Sequence, residues 1–217
     1  MKSLAALMAA ASVATLAGAA SAQTVPADQV GQGSLIVTAR MTGVLTQADD
    51  AIRTAEGIDS GLGVDVSDDW MPTLGFTYFV ADNWAVEAIL GATRHEVRAV
   101  GAGTDVAVHE TWVLPPVVTV QYRPTPNARL SPYAGAGVSY MAFFEGEDKN
   151  GFEVDLEDGF GLALQAGVDW NLSGPWTLNL DAKKVWFDTD ARINDGALQS
   201  KVALDPWVVS LGVGRKF

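Results

Sequence analysis

Residues 159–170 read GFGLALQAGVDW. Phe160, Leu162, Leu164, Ala166, Val168 and Trp170 alternate with Gly161, Ala163, Gln165, Gly167 and Asp169. A period of two is that of a strand, here with one greasy face and one small or polar face. The same alternation marks eight runs, roughly 34–44, 70–80, 84–94, 108–122, 132–144, 159–171, 176–187 and 202–217. The links at 81–83, 123–129 and 172–175 are short and turn-like. Those at 45–69, 95–107, 145–158 and 188–201 are long. Short and long links alternate, as they do in a barrel with short periplasmic turns and long extracellular loops.

The aromatic residues say what the greasy face touches. All seven tryptophans fall on it, and all lie near strand ends. Trp84, Trp170 and Trp176 flank short turns, whereas Trp70, Trp112, Trp186 and Trp207 flank long links. Trp112 to Tyr122, Phe160 to Trp170, Trp176 to Trp186 and Trp207 to Phe217 are each ten residues apart. Ten residues of strand rise about 33 Å, or roughly 25 Å at the usual barrel tilt, the height of a lipid-facing band. Trp70, Trp84, Trp112, Tyr122, Trp170, Trp176, Trp186, Trp207 and Phe217 therefore read as two membrane girdles. A soluble sandwich would bury its tryptophans in mid-strand. Lipid cannot satisfy an open sheet edge, so the strands must close. The expected fold is all-β: an eight-stranded antiparallel transmembrane β-barrel of outer-membrane type. Phe217 ends an alternating strand, the usual signal to the barrel-assembly machinery. Arg215 and Lys184 depart from the apolar face, each close enough to an interface to snorkel into it.

Composition adds three limits. Residues 1–22 carry Lys2, an Ala-rich apolar stretch and Ala20-Ser21-Ala22, the pattern of a secretory signal peptide with Gln23 as the new N-terminus. The barrel domain is then 23–217, within the envelope of a Gram-negative cell. No later run is long and apolar enough for a transmembrane helix. The chain has no cysteine, so no disulfide or thiolate metal site is available. A net charge of −12 argues against a nucleic-acid partner. The expected partners are outer-membrane lipid and lipopolysaccharide.

Several stretches carry a resemblance. TYFVADNWAVEAILGAT (77–93), LPPVVTVQY (114–122), SPYAGAGVSYMAFF (131–144), LQAGVDW (164–170) and LDPWVVSLGVGRKF (204–217) resemble the OmpW family of outer-membrane proteins, AlkL-type alkane importers among them. LPP, PYxGAG and LDPW in this order are specific together. The resemblance implies passive admission of small hydrophobic solutes, an activity that periodicity does not show.

Eight strands leave an interior that side chains nearly fill. Counting from the short turns puts Arg40, Glu87, Gln165, Asp181 and Lys183 in the lower lumen, where charges of both signs can pair. Ile89, Met141, Phe143, Val185 and Val208 come higher, as an apolar path for a solute. A solute stopped by the polar layer would leave sideways. Pro115 and Pro116 mark the expected lateral opening, because proline donates nothing to a strand ladder. The prolines could equally mark a bend or a bulge. His95 and His109, beside Glu96 and Glu110, read as polar loop residues. With Thr93, Thr104 or Thr111 they leave open a lipid A-modifying enzyme, although no serine completes a triad there. The acidic segments 46–69 and 145–159 read as solvated loops that match no EF-hand. No catalytic residue, cofactor or metal is expected. The alternative to a conduit is a structural or surface-interaction barrel with a plugged lumen.

Overall fold

The computed structural model describes residues 26, 28–46, 51–101, 103–151, 153–156, 158–194 and 197–217. The expected signal peptide and Gln23 lie outside the described residues. The strands, in chain order, are β1 (Leu35–Leu45), β2 (Ala51–Thr54), β3 (Asp59–Val66), β4 (Asp69–Ala81), β5 (Trp84–Leu90), β6 (Thr93–Gly101), β7 (Thr104–Leu114), β8 (Val117–Tyr122), β9 (Leu130–Asp148), β10 (Val154–Leu156), β11 (Gly159–Asn171), β12 (Trp176–Trp186), β13 (Asp188–Ile193), β14 (Leu198–Ala203) and β15 (Trp207–Lys216).

The membrane barrel follows the order β1-β4-β5-β8-β9-β11-β12-β15, and all its pairings are antiparallel. It closes where β1 meets β15, with Ile36 opposite Lys216 and Leu45 opposite Trp207. Closure leaves the backbone no lipid-facing edge over most of the wall. The alternation holds throughout: Leu162, Leu164, Leu180 and Leu211 point out, whereas Ala163, Gln165 and Asp181 are buried in the lumen. All nine girdle aromatics named above are exposed, and Trp84 packs against Tyr122 at a tilt of 51°, with ring centroids 5.0 Å apart. The basic residues on this face sit on the girdles. Arg215 lies over Trp176 and Phe217, and Lys184 lies over Trp207 while bonding the Asp205 carbonyl.

Above the barrel the structure departs from the sequence reading. The long links are mostly strand rather than irregular loop. The upper half of β9 leaves β11 and pairs with β7, and the sheet runs on as β7-β6-β3-β2-β14-β13-β10. This extracellular crown has its own core, built around Ile52, Val64, Val108, Val154 and Ile193. The link from β9 to β10 bends at Asn150 and Gly151, both in the left-handed region with φ of 54° and 80°. Two runs read as continuous are broken at Gly91-Ala92 and at Pro115-Pro116. The last strand begins at Trp207 rather than at 202, because Asp205 turns the chain with a φ of 27°.

Below the barrel, residues 28–34 fold against the periplasmic mouth. The Val30 amide donates to Asn127 Oδ1 at 2.7 Å, and Asn127 Nδ2 returns a bond to the Val30 carbonyl at 2.9 Å. Asn127 belongs to the β8–β9 turn, on the far side of the barrel from β1. Val30 is buried against Ile36, Phe79 and Ala85. Lys216 Nζ donates to the Asp28 carbonyl at 2.7 Å. The segment thus straps across the lower opening.

Candidate functional site

The lumen is built in two layers. In the lower layer, β1 supplies Arg40, β5 supplies Glu87, β11 supplies Gln165 and β12 supplies Asp181 and Lys183, all buried. Arg40 Nη2 donates to Glu87 Oε2 at 2.7 Å, and its Nε donates to Asn179 Oδ1 at 2.7 Å. Lys183 Nζ lies 3.1 Å from Glu87 Oε1 and also bonds Asp181. Gln165 Nε2 ties the acids together, donating to Glu87 at 2.9 Å and Asp181 at 2.6 Å. A buried ion left alone costs several kcal/mol, so each charge needs both a counter-charge and hydrogen bonds. Here every one has both, and only Nη1 of Arg40 is left without a hydrogen-bond partner among these groups.

The network is larger than the sequence reading. The Tyr133 hydroxyl donates to Asp181 at 2.7 Å and accepts from Asn179 at 2.9 Å. Asn179 also donates to Asp169 at 2.7 Å. Asp169 pairs with Arg123 at 2.5 Å, and the guanidinium lies 4.1 Å from the Tyr133 ring centre. Thr119 and Gln121 donate to Gln165 Oε1 at 2.6 and 3.1 Å. These residues share the inward parity of the predicted ones, which was the available signal. Glycine makes the room: a Cβ on Gly75 would collide with the Arg40 guanidinium.

Above this floor opens an apolar cavity, with about 1160 Å³ of space between its walls when the open solvent at its mouth is counted. Ile89, Met141, Phe143, Val185 and Val208, the upper inward residues of the sequence reading, all line it. Val113 and Val117 join them, and Met141 and Val185 pack with Ala163 and Phe187 in one apolar cluster. Lys183, Ser139 and Thr42 are the lining residues contributed from the floor side.

The wall has a discontinuity beside this cavity. β4 pairs with β5 only up to Leu74 opposite Leu90. Past the bend at Gly91-Ala92, β6 pairs with β7 and β3 instead. Residues 69–73 of β4, which include Pro72, therefore have no ladder partner on that side. Asp69 Oδ2 accepts from the Arg94 amide at 2.8 Å at the top of the interval. Pro115 and Pro116 lie at the same level, between β7 and β8. Their link to β9 survives, because the Pro116 carbonyl accepts from the Tyr140 amide at 3.0 Å. Pro115, Gly91 and Met71 line the cavity. The interruption thus faces β4 rather than β9.

The histidines are not loop residues. Both lie in crown strands and are buried. His95 Nδ1 meets the Ser67 carbonyl at 2.7 Å, and its Nε2 meets Thr93 Oγ1 at 2.9 Å. His109 Nδ1 meets Asp148 Oδ1 at 2.9 Å. His95 therefore has a hydroxyl but a carbonyl where a carboxylate orienter would be, and it lies within the lumen rather than on a lipid-facing rim. Among the described residues there is no cluster of three or more metal-type ligands.

Comparison with known proteins agrees with this architecture. Residues 31–217 match the OmpW family. The outer-membrane protein y4mB of Sinorhizobium fredii is 36% identical over 185 residues, covering 83% of this chain and 79% of that protein. The dibenzothiophene metabolism operon protein PahQ of Pseudomonas aeruginosa is 32% identical over 161 residues, covering 72% and 76%. The crystal structure of the outer membrane protein OprG from Pseudomonas aeruginosa superposes with a TM-score of 0.81 at 30% identity, covering 88% of this chain and 98% of that one. The protein is an outer-membrane β-barrel, and the chain belongs to the OmpW family.

Proposed function

We propose that the barrel passively admits small hydrophobic molecules from outside the cell and releases them sideways into the membrane. One observation carries the reading: an apolar cavity stands on a closed ionic floor. Apolar solutes gain about 25 cal/mol for each Å² they remove from water, so such a cavity attracts them without chemistry. The floor refuses them, because an apolar solute passing through would strip hydrogen bonds from buried charges. The strap of residues 28–34 closes the lower mouth again. The interruption between upper β4 and the Gly91-Ala92 bend is the remaining route, flanked by Pro72, Pro115 and Pro116. A cavity between apolar walls in the upper lumen favours this reading over a barrel whose own side chains fill it to the top. PahQ, whose name ties it to dibenzothiophene metabolism, supports a hydrophobic cargo by analogy. No covalent step is part of the proposal.

The test is uptake of radiolabelled octane by cells lacking and then expressing the protein, with lipopolysaccharide intact. Faster, weakly saturating octane entry with unchanged entry of a polar sugar is the expected result. Equal octane entry with and without folded protein would sink the reading in favour of a plugged structural barrel.

A further inference from the structure

Most polar groups lining the cavity are already engaged. Thr42 bonds Thr73 and Ser210, Thr46 bonds the Val66 carbonyl, and both His95 nitrogens have partners. Lys183 is held by Glu87 and Asp181. Ser139 differs. Its side chain is fully buried, its residue lines the cavity, and its Oγ has no hydrogen-bond partner among the described residues. A buried hydroxyl left unpaired is desolvated with nothing in return, and such an exception in a native lumen calls for a cause.

The ionic groups beneath Ser139 are balanced. Arg40, Arg123 and Lys183 face Glu87, Asp169 and Asp181, three cations against three anions. A ligand anion brought to this floor would find no cation without an existing counter-charge, and its desolvation would go unrepaid. A neutral head that both donates and accepts matches the free serine hydroxyl. The walls beside and above it, Val113, Val117, Met141 and Val185 among them, suit an alkyl chain.

We infer that the upper lumen is selective for neutral amphiphiles, medium-chain alcohols being the simplest, whose polar head is received by Ser139 at the cavity floor while the chain fills the apolar space above. This deepens the uptake reading and rests on it. The cavity would therefore rank equally sized solutes as alcohol first, alkane second and carboxylate last.

The experiment is competition in cells expressing the full chain. Protein-dependent entry of radiolabelled octane is inhibited with unlabelled 1-octanol, nonane or octanoate, the first two having equal numbers of heavy atoms. The readout is the ratio of half-inhibitory concentrations within each protein, so differences in expression cancel. In the wild type, 1-octanol should inhibit at a lower concentration than nonane, and octanoate should be the weakest. Ser139→Ala should erase about tenfold of the octanol preference, the effect of one lost partner for a buried hydroxyl. Ser139→Thr, which keeps the hydroxyl, should retain the preference. Heat-shifted gel mobility checks that each variant is folded. An unchanged ratio in a folded Ser139→Ala protein would overturn the inference, as would octanoate competing as well as 1-octanol. Octane entry that does not depend on the protein would instead overturn the uptake reading and this inference together.

Discussion

At the scale of single residues, the floor is held by mutual dependence. Glu87 accepts from Arg40, Thr77 and Gln165 and faces Lys183. Glu87→Gln keeps the shape but leaves two buried cations short of an anion. The expected loss is about 3 kcal/mol, read as a lower urea midpoint for unfolding from lipid vesicles. Close packing gives a second prediction. A Cβ on Gly137 would strike the Val118 carbonyl oxygen, which belongs to a paired strand and cannot rotate away. Gly137→Ala should therefore destabilise by about 3 kcal/mol in the same measurement. Parity alone placed Arg40, Glu87, Gln165, Asp181 and Lys183 inside, because one buried face and one lipid face fix the register of every strand. It did not show that Tyr133, Asn179, Asp169 and Arg123 join them. Asp169 faces Asn179 on the paired strands β11 and β12, whereas Tyr133 and Arg123 reach their partners over an intervening strand, 46 to 48 residues away, a contact that depends on strand order and register rather than on parity.

At the scale of elements, the barrel strands were legible and the crown was not. A membrane strand must alternate for about ten residues, which leaves a long signal. Crown strands are shorter, β2 having four residues, and their outer faces carry charge. Glycines and acids interrupt the pattern, so segment 46–69, which reads as a solvated loop, holds the β2–β3 hairpin, and 145–159 holds the top of β9 and the short strand β10, with Ile52, Val64 and Val154 in one core. The outer face of β6–β7 shows how charge is managed there. Glu96 lies directly opposite Glu110, an unfavourable pair unless neutralised. Arg98 binds Glu96 at 2.7 Å, and Arg94 and Lys149 both bind Glu110. The hydrogen bond from Lys149, with the charge of Arg94, holds the Glu110 carboxyl below its ordinary range. A depressed folded value means that the contact stabilises the crown above the unfolded value near 4.3, and is lost as pH falls through the lower folded one. Amide exchange should therefore quicken in upper β7 and β9 on strong acidification, before it does in the membrane strands. Lys149→Met should move that onset to higher pH.

At the scale of the whole molecule, two closures and one interruption define what the protein can do. The ionic floor and the strap of residues 28–34 both deny a straight path to the periplasm. Among the described residues, the wall parts where β4 and β5 separate above Leu74 and Leu90. If solutes leave there, a covalent tie across the interruption should stop uptake while the cavity stays intact. The geometry permits one. A Cβ on Gly91 would lie 3.4 Å from Thr73 Cβ, at the short edge of the roughly 3.5–4.5 Å that a disulfide spans. The chain has no cysteine of its own, so the pair Thr73→Cys and Gly91→Cys has no competing thiol. Oxidised protein should lose most protein-dependent octane entry, and reduction of the same cells should restore it. Each state serves as the other's control for folding, expression and the lost Thr73 hydroxyl. Undiminished entry through fully cross-linked barrels would mean that solutes leave elsewhere. The strap and floor would then have to open, and Asn127→Ala, which frees Val30 from the β8–β9 turn, would become the variant that speeds entry.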